Sequence, residues 1–416
     1  VVGFGQPFLP GEHNLTRPID LSGESGICIK GFGVVSQLKI SARVNTAAFT
    51  LTNSHDICFD GFAVVSAATA PVWACAQTSD LTLANLFVFA ELKSRYAIVV
   101  TSGGAGSRWQ VENNVFIGST GLSGLSVYQS VFRSNSWLGI HNGIDLQNLM
   151  EVVIDNNYFL GISDADLKEF MALSFEVDLK REFTRQNIFQ SLLQFLAQQN
   201  TEAVSTRYNA IELSGGFDLT ITGNRMVGRI GLGCEIIENT KVTNNDFLTT
   251  LFGASCGIVR NLVFSENRIG LHIPNNPQAG VSCKVGLRVI NDVIDCRVLD
   301  NSFNKVEEGI VFESDFDGGK ETIRDFGVKS FVGRKDTGFD LKKVLKDSEK
   351  LTRRSKEKHI LLKSTYFVFS KCERTRIEGN HFRASKLAIE WSGTRDVVDF
   401  RVSGNAISGW RCANSE

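Results

Sequence analysis

The sequence predicts an all-β solenoid, and three observations predict it. A short phrase recurs with a basic period of 21 to 25 residues, apolar residues alternate inside each copy, and a surplus of phenylalanine keeps phase with the repeat. The phrase is two or three alternating apolar residues, a polar residue or glycine, an asparagine, then another apolar residue. It reads Val111-Glu112-Asn113-Asn114-Val115-Phe116, Val152-Val153-Ile154-Asp155-Asn156-Asn157-Tyr158-Phe159 and Leu219-Thr220-Ile221-Thr222-Gly223-Asn224-Arg225-Met226. Further copies end at Asn135, Asn245, Asn267, Asn301, Asn380 and Asn405. Period-2 alternation with Gly and Asn punctuation codes short strands and turns, not helices.

Degenerate copies near the N-terminus place Phe32, Phe62 and Leu86 at the asparagine position. The intervals between successive anchors are 30, 24, 28, 21, 22, 67, 21, 22, 34, 79 and 25 residues. Coils of this kind bury their inward rows by stacking, so the length adds turns to one domain and does not multiply domains. An inward asparagine in every turn can hydrogen-bond to the turns above and below, satisfying backbone groups that would otherwise be buried alone. These asparagines are therefore read as architectural. Of 30 Phe, those at 116, 159, 247, 303 and 382 each follow a ladder asparagine by two residues, which predicts an inward aromatic stack, with Met226, Ile269 and Ile407 taking the place in other coils.

The long intervals mark insertions. Residues 162–207 carry Leu167, Phe170, Met171, Ile188, Leu192, Phe195 and Leu196 at helical spacing and predict a helical excursion. Residues 315–364 are charge-rich, with 14 Lys+Arg against 7 Asp+Glu between Lys320 and Lys363. That segment reads as a solvated basic face, or one that meets an acidic partner.

The opening Pro10-Gly11-Glu12-His13-Asn14-Leu15-Thr16-Arg17-Pro18-Ile19-Asp20-Leu21, with Gly26-Ile27-Cys28-Ile29-Lys30-Gly31-Phe32-Gly33, the asparagine ladder and the coil length resemble the pectate lyase-like superfamily. The resemblance spans residues 8 to 410. It implies a single-stranded right-handed parallel β-helix of about twelve coils, the layout also found in phage tailspikes and polysaccharide-active enzymes. In such proteins capping segments close both ends, so the expectation is that terminal caps are missing from this chain. The resemblance is specific for fold and weak for activity. The tryptophan-isoleucine-aspartate-histidine signature of pectate lyases, the glycine-histidine-glycine motif of polygalacturonases and the aspartate-proline-histidine-aspartate motif of alginate epimerases have no counterpart here.

A formal net charge of −1 argues against whole-chain nucleic-acid binding, and no run of eighteen apolar residues predicts a membrane helix. The chain begins at Val1 without a basic-then-apolar leader, which predicts a processed protein or a fragment. Nine scattered cysteines, none in a C-x-x-C pair, predict mostly small buried thiols and neither a zinc ribbon nor a disulfide scaffold. The free-thiol reading points to folding in a cytoplasm, whereas the acceptor sequence Asn14-Leu15-Thr16 points to secretion. No cofactor or metal is expected. Gly253-Ala254-Ser255-Cys256-Gly257 leads into a strand and is no nucleophile elbow. Gly103 to Gly106 reads as a turn, the six His have no ligand spacing, and Glu313, Asp315 and Asp317 lack the full calcium-loop pattern.

Chemistry is therefore sought on the strand about twelve residues before each ladder asparagine, whose outward residues line a groove. Aligning the coils predicts one row of Thr50, Trp73, Val99, Ser126, Asp145, Glu212, Glu235, Val259, Arg288, Val368 and Glu390. The acids Asp145, Glu212 and Glu235 are adjacent in it. Strands stack about 4.8 Å apart, so neighbouring and next-neighbouring pairs bracket the separations of glycosidase carboxylates. The predicted catalytic set is Asp145, Glu212 and Glu235. His141, Asn142 and Arg288 are expected to bind substrate polar groups and Trp73 to stack on a sugar ring. Two functions follow. One is an extracellular or virion-surface protein that binds and hydrolyses a polysaccharide, as a secreted glycoside hydrolase, a polysaccharide lyase-like enzyme or a trimeric tailspike would. The other is a non-catalytic adhesive or structural rod.

Overall fold

The computed structural model describes residues 8–90, 98–161, 207–270, 282–313, 371–383, 387–391 and 396–407. Among these, every regular element is a β-strand, and each strand inside the stack pairs in parallel with its equivalents in the neighbouring turns, the end strands on one side only. Val111, for example, lies opposite Leu83 and Phe132, Phe132 opposite Ile154, and Ile154 opposite Ile221. The result is a single-stranded right-handed parallel β-helix of about eleven turns. Both predicted insertions, apart from Arg207, lie outside the described residues. No helix among the described residues is long and apolar enough to cross a membrane.

A typical turn has three strands. Val153–Asp155 precedes the ladder asparagine Asn157, Tyr158–Gly161 follows it, and the long strand Asn209–Phe217 closes the turn. The corner before the ladder residue needs a left-handed backbone. Asn113, Ser134, Asn156, Asn244, Glu266 and Asp300 adopt it with φ between 53° and 58°, and Gly223, Gly379 and Gly404 with φ of 63° to 67°. This is why polar residues and glycine occupy the corner, since β-branched and bulky residues are strongly disfavoured there.

The asparagine ladder runs unbroken from Asn114 to Asn405. Asn157 is representative: its Oδ1 accepts from Asn135 N at 2.9 Å and Asn135 Nδ2 at 3.0 Å, while its Nδ2 donates to Phe132 O at 2.8 Å and Asn224 Oδ1 at 3.0 Å. The same pattern repeats at Asn224, Asn245, Asn267, Asn301 and Asn380. At the top, Leu86 N donates to Asn114 Oδ1 at 2.9 Å, so a leucine can end the ladder by donating its last bond from the backbone.

Beside it stands the aromatic column, Phe116–Trp137–Phe159–Met226–Phe247–Ile269–Phe303–Phe382–Ile407 in successive register. Trp137 also belongs to it, tilted on Phe116 at 4.7 Å and parallel to Phe159 at 6.2 Å. Phe303 and Phe382 stack at 4.8 Å. Each such pair contributes on the order of 1 kcal/mol beyond its buried area.

The first coils depart from the predicted phase. Phe32 is exposed, not inward, because Gly33 is the residue opposite Phe62 and the register shifts twice between Lys30 and Gln37. Gly103 to Gly106 is no free turn. It lies in the strand Ile98–Ser107, as a bulge that sets Ala105 opposite Ser126. Cys28 and Cys58, opposite each other in register, form a disulfide. Cys75, Cys234, Cys256, Cys283, Cys296 and Cys372 are buried free thiols, and burial pushes the Cys75 thiol up to about 12.

Candidate functional site

The outward row of the long strand runs Thr50, Ala74, Thr101, Ser123, Asp145, Glu212, Gly233, Ser255, Arg288, Val311. Asp145 and Glu212 lie directly opposite each other, with Ile144 and Ile211 beside them turned into the core. The position after Glu212 is Gly233. A β-carbon there would sit 2.7 Å from Glu212 Oε2 and 2.9 Å from its Cδ. The Glu212 carboxyl therefore lies flat over the next coil, in room that glycine leaves open.

Glu235 is not on that row. It is two residues further along the strand from Gly233, with its strand neighbours Cys234 and Ile236 opposite Leu213 and Gly215. One strand step and two residues place its backbone roughly 8 Å from that of Glu212. Its Oε2 is buried and has no hydrogen-bond partner among the described residues. Twelve residues before Asn135, Asn245 and Asn267 stand Ser123, Gly233 and Ser255, which hold the row; Ser126, Glu235 and Val259 lie nine, ten and eight residues before those asparagines and fall off it.

Trp73 is a clear correction. It is wholly buried, opposite Phe49 and Val100, and its ring lies parallel to Phe49 at 5.9 Å and edge-on to Phe59 at 5.5 Å. The outward residue of that coil is Ala74. An error of one residue in a strand exchanges faces, and Trp73 is a core residue out of reach of any sugar ring.

Asn142 and Arg288 are also engaged within the chain. Asn142 Nδ2 donates to Asp145 Oδ2 at 2.9 Å. One coil on, Asn209 Nδ2 donates to Glu212 Oε2 at 3.0 Å. Arg288 holds the predicted row, three strands beyond Glu212. Its Nε donates to Glu313 Oε2 at 2.9 Å, its Nη2 reaches the same oxygen, and its guanidinium lies over the Phe252 ring at 5.2 Å. His141 is half-buried, just before Asn142, where two residues of this coil oppose one of the preceding coil.

The place where the chain re-enters the helix after the long insertion is fixed by Tyr208. Its ring is fully buried, its hydroxyl donates to Trp137 O at 3.1 Å, and β-carbons at Gly143, Gly161 or Gly228 would come within 2.4 to 2.8 Å of it. A tyrosine slotted among glycines anchors the residue before Asn209, and so the start of the strand that carries Glu212.

These placements set the electrostatics. Burial, then the Asp145 charge, pushes Glu212 up to about 7 against the pull of Asn209 and Arg229. Burial, then the Glu212 charge, pushes Glu235 up to about 7. Burial raises Asp145 too, opposed by the Asn142 hydrogen bond. Carboxyls crowded in this way take up a proton at neutral pH, which provides an acid beside a base. Among the described residues no cluster of three His, Cys, Asp or Glu is arranged to hold a metal ion.

The fold and site together define a right-handed parallel β-helix with a carboxylate-bearing outer face. No family model and no curated protein matches the sequence. Solved structures do. The periplasmic alginate epimerase AlgG is 10% identical over 91% of this chain and 76% of its own, with a TM-score of 0.45. The A-module of the Azotobacter vinelandii mannuronan C-5 epimerase AlgE6 is 10% identical over 97% and 90%, with a TM-score of 0.41. The catalytic domain of a GH87 α-1,3-glucanase in complex with nigerose is 11% identical over 96% and 64%, with a TM-score of 0.39.

Proposed function

We propose that this protein binds a polysaccharide along the outer face of its long strands and hydrolyses it between Asp145 and Glu212. The observation that carries the reading is the in-register pair of acids on neighbouring strands, one of them held over a glycine and pushed up to about 7. The row spacing of about 4.8 Å matches the short separation of a retaining pair. Glu212, in its protonated form, gives its proton to the glycosidic oxygen as the bond to the anomeric carbon breaks. Asp145, ionised, attacks that carbon and holds the sugar as an ester. Water, deprotonated by Glu212, then releases it, returning the proton to Glu212 and the negative charge to Asp145. Glu235, one coil on and two residues along the strand, lines the next stretch of groove.

Small and hydroxyl residues flank the acids on one side, Ser123, Thr101 and Ala74, and Gly233 and Ser255 on the other. Such a floor is open enough for a chain of sugars and offers hydroxyl partners to it. The reading carries with it an extracellular or virion-surface location, and sedimentation of the purified chain tests whether it assembles as a trimer. The functional test is a glycan-array and depolymerisation screen of the wild type beside Asp145→Asn and Glu212→Gln. Cleavage by the wild type that either substitution abolishes is the expected result. Binding with no cleavage by any form assigns the protein to the adhesive class, and no binding at all leaves the structural rod.

A further inference from the structure

We infer that Asn142 and Asn209 are a matched pair of positioning residues, each holding one oxygen of the acid three places along its own strand, so that Asp145 and Glu212 are presented in the same attitude. The inference rests on the reading of these acids as the reacting pair.

The two clamps are duplicates in space. Asn142 lies opposite Asn209 and Asp145 opposite Glu212, and each amide nitrogen donates to its own carboxyl, at 2.9 and 3.0 Å. Residues three apart on a regular strand point to opposite faces, so this contact needs an irregular start to the strand. In the Asp145 coil a bulge ends at Asn142, since Gly139 lies opposite Gly118 but Asn142 opposite Thr120, and the two residues that follow, Gly143 and Ile144, are both buried, which leaves Asn142 and Asp145 on one face. In the Glu212 coil the strand starts directly after the buried Tyr208 anchor. Gly143, between Asn142 and Asp145, has no room for a side chain, since a β-carbon there would lie 2.6 Å from Ala210 O.

The row on either side separates a clamp from ordinary architecture. At the amide position the column reads Thr120, Asn142, Asn209, Ile230, Phe252, Val285, and at the acid position Ser123, Asp145, Glu212, Gly233, Ser255, Arg288. An asparagine stands only where a carboxyl stands, in two coils that are neighbours in space yet 67 residues apart in sequence at their ladder asparagines. An amide that served the strand corner alone would not track the acid. The clamp takes Asp145 Oδ2 and Glu212 Oε2 and leaves Asp145 Oδ1 and Glu212 Oε1 outside it. The Asn209 Oδ1 atom is buried with no hydrogen-bond partner among the described residues, so the amide's strong bond is the one to the acid.

The charged and titratable groups around the pair are Glu235 and the Cys234 thiol on the next coil, Arg229 at the corner leading into that coil, and His141 beside Asn142. Both Asn209→Ala and the isosteric Asn209→Asp remove the donor to Glu212, and Asn142→Ala and Asn142→Asp do the same to Asp145. Carboxyl titration by 13C NMR reads the result without any glycan, and thermal unfolding reports whether each variant folds. The expected outcome is a tenfold or larger fall in the Glu212 acid dissociation constant in both Asn209 variants, greater in Asn209→Asp, with the complementary effect on Asp145 in the Asn142 variants. If a cleaved glycan is found, the alkaline limb of its pH profile moves up in the Asn209 variants. A folded Asn209→Asp protein whose Glu212 titrates as in the wild type overturns the inference. A shifted titration in a protein that cleaves no glycan upholds the clamp and rejects the hydrolase reading.

Discussion

Two polar columns run along this molecule, and they are built on opposite terms. The asparagine ladder inside the corner is closed: each internal rung accepts from the rung before it and donates to the rung after it and to a backbone carbonyl. The Asp145–Glu212 column on the outer face is open. Its acids repel each other, Glu212 overhangs a glycine, and buried oxygens of Asn209 and Glu235 are left without partners among the described residues. Polar groups that serve a fold are satisfied within it, whereas groups that serve chemistry keep unmet capacity at some cost in stability.

Breaking the closed column has the largest expected effect. Asn157→Ala removes two donors and an acceptor that serves two groups, and strands Phe132 O and Asn135 N in the core, at a cost of about 4 kcal/mol. Chemical denaturation checks this. Asn405→Ala, at the last described rung, where Asn405 is only partly buried, is expected to cost about 1 kcal/mol.

The open column predicts the opposite sign. The Glu212 carboxyl is raised on folding, so its contribution to stability is complete below the ordinary carboxylate range near 4.5 and is lost as pH rises through about 7. Glu212→Gln removes that dependence. At pH 8 the variant is expected to be more stable than the wild type by on the order of 2 kcal/mol, after discounting the exposed part of the group, and nearly equal to it at pH 4. Unfolding curves at the two pH values decide the point.

Smaller effects refine the contrast. Gly233→Ala meets the mobile end of Glu212 and not backbone, so a loss of under about 1 kcal/mol is expected together with displacement of the carboxyl and loss of glycan cleavage. Asp145→Asn removes a charge that raises Glu212. Its expected mark is a lower Glu212 titration midpoint with little change in stability, seen in the same carboxyl NMR titration.

The closed column was readable from sequence because its signal is periodic. Asn114, Asn135 and Asn157 stand at nearly constant spacing, and Phe116 and Phe159 keep phase with them, so stacking follows from counting. The open face was readable where the count was kept. Asp145 and Glu212 fall twelve residues before their ladder asparagines and meet in register, and twelve residues before Leu86 and Asn245 stand Ala74 and Gly233, which hold the row. Trp73, at thirteen, is a core residue, and Glu235, at ten, lies two residues past the row. On a strand of period two an offset of one residue exchanges faces. The clamp was half visible: Asn142-Gly143-Ile144-Asp145 and Asn209-Ala210-Ile211-Glu212 share a pattern whose meaning appears only when the two strands are set side by side.

On the proposed reading the outer acid pair is kept for chemistry at the expense of stability. The most direct measurement sets Glu212→Gln beside the wild type in two assays, thermal unfolding at pH 8 and, below pH 7 where Glu212 keeps its proton, depolymerisation of the glycan that the array identifies. The expected variant melts higher and no longer cleaves. A variant that melts lower while cleaving as well as the wild type would contradict the reading.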